Sequence, residues 1–316
     1  MVLFYQEKRT YLLIFKNHIN MPLKNTFLLL ISCLIFSISA KAQLQELPFF
    51  GVNYNTGKFK NDTSNGNNKA FSAFMNIPVV HSDKRTVGVR LQYQNQTISG
   101  LGSLLDHRLQ LVDANIYWRR KIASNKWLHF FGQAGIYSDF KDISGKDYRF
   151  MLGGIYTVKY SERLTTGWGI NYARQFFGNQ INPFVAINYD ISDRWKLAGL
   201  LPINPILTYK INDHFSWSNE INAKVESYRL SAADNDNGFI QMKGWRGISQ
   251  LKYTVKKHHH FAAGIGYNFR QDISYYNNAP ANDWKIFTFN LSNHNKAVQT
   301  VQVKGINFNI GYSFLF

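Results

Sequence analysis

The chain closes on Gly305-Ile306-Asn307-Phe308-Asn309-Ile310-Gly311-Tyr312-Ser313-Phe314-Leu315-Phe316. Ile306, Phe308, Ile310, Tyr312, Phe314 and Phe316 share one parity, and Gly305, Asn307, Asn309, Gly311 and Ser313 share the other. Successive side chains of a β-strand point to opposite faces, so this segment reads as a strand with one apolar and one polar face. A strand of a soluble sandwich alternates too, but it rarely ends a chain on an aromatic residue with no polar tail.

Working outward, the same alternation recurs in segments of about ten residues, the length of a membrane-crossing strand. Phe261, Ala263, Ile265, Tyr267 and Phe269 alternate with Ala262, Gly264, Gly266, Asn268 and Arg270. Phe215, Trp217, Ile221, Ala223 and Val225 oppose a face that carries Glu220, Lys224 and Glu226. Leu164, Thr166, Trp168, Ile170 and Tyr172 oppose Gly167, Gly169 and Asn171, and Val87, Val89, Leu91 and Tyr93 oppose Gly88, Arg90, Gln92 and Gln94. Several ionisable groups on one strand face fit badly in a dry core, where unpaired charge is costly, and fit well in a hydrated lumen. The stretch 128–137 alternates poorly.

Connections between these segments fall into two sets that take turns along the chain. One is short and has turn chemistry: Ser82-Asp83-Lys84, Ala123-Ser124-Asn125, Ser161-Glu162, Ser192-Asp193, Asn212-Asp213 and Lys256-Lys257-His258. The other is mostly longer and rich in Gly and Asn: 57–69, 99–108, 139–148, 177–181, 201–205, 230–238 and 276–298. Short turns on one side and long loops on the other are the build of an outer-membrane barrel. The spacing predicts an all-β fold: a closed antiparallel up-and-down transmembrane β-barrel of about 14 strands, with 12 and 16 also compatible. Trp284–Phe289 is strand-like inside the longest loop, and Pro202 and Pro205 belong at the tip of a short hairpin, since neither donates to a ladder. Trp118, Trp127 and Trp195 beside short turns read as an interfacial girdle, with ordinary packing as the alternative, and Trp245 lies deeper.

Composition agrees. Of 316 residues, 25 Phe, 18 Tyr and 7 Trp make 16% aromatic content, while charged residues are 17%, below the roughly 25% of an ordinary globular chain. There is no apolar run of the roughly 18 residues that a membrane helix needs. The net charge is +17; Lys8, Arg9, Lys16, Lys24 and Lys41 against Glu7 give +4 to residues 1–42, which leaves +13 for 43–316. The basic residues are scattered rather than clustered, which argues for lumen, loop and turn charge and against nucleic acid as partner.

The beginning of the chain reads as an export signal. Lys24 precedes the apolar run 27–38, and Ala40-Lys41-Ala42 offers a small-x-small cleavage site between Ala42 and Gln43. Met21 stands where such a signal starts. Residues 1–20 are therefore expected to be an over-assigned start, 21–42 a cleaved signal peptide, and 43–316 one barrel domain. Leu30-Ile31-Ser32-Cys33 resembles a lipoprotein box, but the apolar run continues past Cys33 to Ile38. Cys33 is the sole cysteine, so residues 43–316 hold neither a disulfide framework nor a cysteine metal site.

Gln43 after Ala40-Lys41-Ala42, together with the terminal Tyr312-Ser313-Phe314-Leu315-Phe316, resembles the outer-membrane barrels of Bacteroidota. The segment Trp195–Pro202, followed by Leu207-Thr208-Tyr209-Lys210 and Trp217, is similar to an uncharacterised barrel family of those bacteria, a domain of unknown function. The resemblance covers 43–316 loosely and 184–229 best. It implies an outer-membrane location in a Gram-negative bacterium and brings no catalytic residues. The last strand, with Tyr312, Phe314 and Phe316, also resembles the signal read by the barrel-assembly machinery, which implies that partner during biogenesis beside outer-membrane lipid.

Candidate chemistry is sparse. His258-His259-His260 looks like a metal tract, yet neighbouring strand residues diverge, so turn decoration is the plainer reading. Asp234-Asn235-Asp236-Asn237-Gly238 departs from a calcium loop, with Gly fifth and Trp245 at the twelfth position. Ser64 has no nearby His, and His107 after Asp106 forms no diagnostic triad spacing. No catalytic, metal or cofactor-binding residue and no cofactor is assigned. Alternation places Arg90, Asp113, Glu220, Lys224, Glu226, Arg270 and Asp272 in the lumen. A mixed-charge lumen of this width leads to a pore or uptake channel for small solutes, biased towards anions if the basic excess faces it. A closed structural or adhesive barrel, or a lipid-modifying barrel enzyme, is the alternative. Loop 276–298 is long enough to fold inward. No residue pattern assigns an oligomeric state.

Overall fold

The computed structural model describes residues 48–60, 65–231, 238–292 and 294–315. The expected leader, the Ala42–Gln43 junction, Cys33, Ser64, Asp234–Asn237 and Phe316 lie outside them.

The strands in chain order are β1 (Phe50–Lys60), β2 (Asn65–His81), β3 (Arg85–Ser99), β4 (Arg108–Ala123), β5 (Lys126–Ser138), β6 (Tyr148–Lys159), β7 (Leu164–Gln175) and β8 (Gly178–Asp190). They continue with β9 (Trp195–Leu201), β10 (Ile206–Lys210), β11 (Phe215–Arg229), β12 (Phe239–Val255), β13 (His259–Tyr276), β14 (Asp283–Ile286), β15 (Phe289–Asn290) and β16 (Gln299–Phe314). Each strand from β1 to β12 pairs with the next; β16 pairs with β13 and with β1, so the sheet closes on itself. This is a closed 14-strand antiparallel barrel, with β14 and β15 as additions inside one loop. Closure of the ring is what allows a sheet to stand in lipid.

The alternation in the sequence becomes inside and outside. Ile306, Phe308 and Ile310 on β16, Ile265, Tyr267 and Phe269 on β13, and Trp168 and Ile170 on β7 are exposed on the outer surface. Apolar side chains that a soluble protein would bury here form the surface itself, and a hydrocarbon surround removes the cost. Aromatic rows mark the short-turn end: Trp118 stacks on Phe130 at 5.5 Å, Phe215 on Tyr253 at 4.8 Å, and Trp195 meets Tyr209 at 4.8 Å. Trp127 departs from the girdle expectation. It shares parity with Phe131 and lines an inner cavity with Arg119, whose guanidinium sits 5.0 Å from its ring.

Short turns occupy 82–84, 124–125, 160–163, 191–194, 211–214 and 256–258. Their polar side chains hold them locally: Asn212 Oδ1 accepts from the N–H of His214 at 2.9 Å and of Phe215 at 2.8 Å. Lys210 Nζ reaches Asp213 at 2.6 Å, and that hydrogen bond and charge hold the Asp213 carboxyl below its ordinary range. Two expected loops are shorter than their composition implied. The β1–β2 ladder runs on to Lys60↔Asn65, because Asn and Gly pair their backbones as well as apolar residues do. The β7–β8 hairpin turns on Phe176-Phe177 alone, with Gly178 at φ +129°, a conformation that costs glycine little.

One irregularity redirects side chains. Arg270 faces Trp245 and Asn268 faces Arg246, so Phe269 is an extra residue in β13. In such a bulge two consecutive side chains share a face and the parity beyond is reversed. Asn268 points inward, Phe269 and Arg270 both point outward, and Gln271 and Ile273 return to the inside.

Candidate functional site

The lumen face changes character along the barrel axis. Inward residues of β3 run Arg90, Gln92, Gln94, Gln96 and then Ile98; on β4, Leu109 and Leu111 precede Asp113; β13 ends on Ile273 and Tyr275. At the loop end these apolar residues join Phe59, Leu101, Leu105, Phe239, Ile240 and Val303 in one buried cluster. The loop 100–107 drives Leu101 and Leu105 into it. Asp106 accepts from the N–H of Gly100 at 2.9 Å and of Leu101 at 2.8 Å, and Leu105 N–H donates to Gly102 O at 2.9 Å. Burial of this size is strongly favourable at roughly 25 cal/mol per Å². The lumen is therefore capped by an apolar plug on its loop side.

Below the cap the lumen is divided. The hairpin β9–β10 is short, and β11 overshoots it: its last ladder partner on that side is Ile206, opposite Glu220, followed by single bonds from Ile221 N to Pro205 O and Ala223 N to Ile203 O. Beyond Ala223, β11 parts from the β9–β10 hairpin, stays paired with β12 as far as Arg229↔Phe239, and turns inward to meet β5, where Arg229 pairs with Ser138. Polar contacts hold it from both sides. Tyr137 OH donates to Asp113 at 2.6 Å, and Gln133 Nε2 donates to the same carboxylate at 2.8 Å. Arg149 lies over the Tyr137 ring at 3.9 Å and donates to Ser227 O at 2.8 Å. Ser227 Oγ donates to Gln175 at 3.1 Å and accepts from Phe176 N–H at 3.1 Å. Gln94 Nε2 reaches Tyr228 OH at 3.3 Å, and Tyr228 OH donates to Glu226 at 3.1 Å. At the loop end, Arg229 and Asp147 stand 3.7 Å apart, both buried, and fasten loop 139–147 to the same strand.

The result is two chambers on either side of β11. The first, about 390 Å³, is lined largely by amides, among them Asn53, Asn55, Asn68, Gln94, Gln250 and Asn309, with Glu220, Lys224, Glu226, Lys243 and Arg246 as its charges. The second, about 330 Å³, lies between β11 and the wall β4–β8; Asp113, Arg149, Gln133 and Gln180 line its polar part, and Leu200, Ile203, Val225 and Phe287 its apolar part. Lys224 and Glu226, an ion pair at 2.7 Å, border both.

Of the residues singled out in the sequence, Glu220, Lys224 and Glu226 line the first chamber and Asp113 the second. Arg90 sits inward nearer the short-turn end, 3.9 Å over the Phe74 ring. Arg270 and Asp272 lie on the opposite face from Asn268, because the bulge breaks the alternation that grouped them. There Asp272 binds Lys243 at 3.4 Å and Arg270 at 3.5 Å. Tyr312 and Phe314 pack at the short-turn end of the closing seam, Tyr312 against Phe50 and Phe261. The histidine tract fastens the same seam: His258 Nδ1 is 3.1 Å from Leu315 O and His259 Nδ1 2.9 Å from Tyr312 OH. Arg149, Arg246, Tyr137 and Tyr228 carried no signal apart from parity; the inward run of apolar residues at strand ends was the readable trace of the cap.

A family model described as "Domain of unknown function (DUF6268)" matches residues 38–309. No curated protein matches the chain by sequence. Among solved structures, the chain is similar to the COG4313 outer membrane channel from Pseudomonas putida F1, at 10% identity and a TM-score of 0.47, covering 88% of this chain and 100% of that one. It is also similar to the NanC porin, at 10% identity and TM-score 0.36 over 83% of this chain and 98% of that one. A third likeness is to the translocator domain of the autotransporter NalP from Neisseria meningitidis, at 9% identity and TM-score 0.36 over 93% and 96% of the two chains.

Proposed function

We propose that this chain, which belongs to the DUF6268 family, is a gated uptake channel for small solutes in the outer membrane of a Gram-negative bacterium. The observation that carries the reading is the pair of unfilled chambers below the cap. A barrel that served only as a scaffold would gain by packing that space with side chains, as cores do. Amides and charges of both signs line it instead, groups that exchange hydrogen bonds with a passing polar solute at little net cost. The cap makes the resting state closed along the axis, so uptake requires loop 100–107 to lift. Export by a cleaved signal ending at Ala42, assembly through the terminal strand and a Bacteroidota origin belong to the same reading.

A closed structural barrel is the second reading, and the tethering of β11 across the lumen favours it. Solute flux separates the two. Residues 43–316 are refolded into liposomes, and swelling is followed in a series of sugars, with Leu105→Asp as the variant that puts a charge in the cap. Faster swelling for the variant than for the native chain is expected. If neither lets solutes through while both run as heat-modifiable folded protein, the channel reading falls.

A further inference from the structure

The weakest part of the wall lies beside the second chamber. Paired with β8 from Asp190 up to Val185, the short strand β9 stops at Leu201. The opposite edge, β11, has turned inward beyond Ala223. Between them the wall would be open, and Asn182, Pro183 and Phe184 of β8 have no ladder partner on that side. A proline there is consistent with an edge, since it cannot donate to a ladder.

The opening is covered by loop 276–298. Its β14 lies parallel to the top of β8, Asp283 to Ile286 against Gly178 to Ile181, in a barrel that is otherwise antiparallel around its ring. Among the described residues β14 and β15 pair with β8 and with each other, and no ladder joins them to β11 or β12. Side-chain bonds supplement this: Gln180 Nε2 to Phe287 O at 3.0 Å, and Trp245 Nε1 to Thr288 Oγ1 at 3.2 Å. The segment is two-faced. Trp284, Phe289 and Leu291 are exposed, whereas Asp283 and Lys285 are buried.

We infer that residues 283–291 form a side shutter, and that the second chamber is a binding site for an uncharged amphipathic small molecule that enters sideways from the lipid. The inference rests on the channel reading. Leu200, Ile203, Val225 and Phe287 stand at the shutter end of the chamber and suit an apolar tail. Arg149 and Asp113 lie deeper. Arg149, Gln133 and Gln180 line the polar part of the chamber and bring N–H groups to its wall for a carbonyl or hydroxyl head. Charge does not favour an ionic head, because Asp113 and Glu226 balance Arg149 and Lys224 around the chamber. Ser227, tethered to Gln175 and Phe176, closes the chamber towards the loops.

The test uses the absence of cysteine from residues 43–316. Val225→Cys places one thiol in the second chamber, and Asn222→Cys places one in the first. In phosphatidylcholine vesicles each is offered N-pyrenylmaleimide, which partitions into lipid, or a sulfonated maleimide, which stays in water; labelling is read by peptide mass. A disulfide between Gln180→Cys and Lys285→Cys, register partners on β8 and β14, locks the shutter, and heat-modifiable migration verifies folding. The lipid-borne reagent is expected to label position 225, and the lock to abolish that labelling until the disulfide is reduced and the reductant removed. Labelling of 225 by the sulfonated reagent regardless of the lock would overturn the side entrance and leave the axial channel standing. Failure of both reagents at both 225 and 222 would overturn the two readings together.

Discussion

Asp113 concentrates the energetics of the divided lumen in a single carboxylate. It accepts from Tyr137 OH and Gln133 Nε2, and through Tyr137 it supports the ring on which Arg149 rests. Replacing it with Ala strands the buried Tyr137 hydroxyl, a loss of about 1–3 kcal/mol, while Gln133 Nε2 keeps Tyr137 OH as its acceptor at 3.0 Å. Asp113→Ala is expected to lower stability by about 2 kcal/mol on that basis, read as a fall in the urea midpoint of the folded, fast-migrating band. An unchanged midpoint would mean that β11 is held elsewhere. Parity alone put this residue inside the barrel, since it needs only a strand and a register. Its partners were not legible: Tyr137 comes from the next strand, Arg149 from the one after, and no local spacing brings them together.

At the scale of elements, most strands and every short turn could be read in the sequence, because both depend on local chemistry: alternation for the one, Ser, Asn and Asp side chains for the other. The departures have a common cause. Where pairing rather than polarity decides, as at Gly57-Lys58 or Gly178-Asn179, a polar strand looks like a loop. Where one residue is inserted, as at Phe269, alternation misassigns everything beyond it, and so Arg270 and Asp272 were grouped with the lumen. The bulge is expected to be dispensable for the cap. Deleting Phe269 leaves Asn268 inward, Arg270 outward and Ile273 and Tyr275 inward on a regular ladder, so the apolar cluster keeps both residues. Proteinase K added from outside should then spare the deletion variant as it spares the native chain. Cutting within 276–298 in the deletion variant alone would show that the cap depends on the bulge.

Seen whole, the molecule departs from a simple open cylinder in a coordinated way. A short hairpin lets β11 fall inward, β11 divides the lumen, loops 100–107 and 139–147 seal the outer end, and loop 276–298 covers the opening left in the wall. The central claim is that the barrel encloses a conductive path held shut by its cap. Single-channel recording in a planar bilayer under a salt gradient tests this most directly, with residues 43–316 compared in native form and as Leu105→Asp. Rare or absent steps in the native chain are expected, with frequent discrete steps in the variant and a reversal potential on the anion side, since Arg90, Arg119, Arg149, Arg246 and Lys224 outnumber Asp113, Glu220 and Glu226 among the inner charges. Steady large steps from the native chain would contradict the cap, and silence from both folded proteins would contradict the channel.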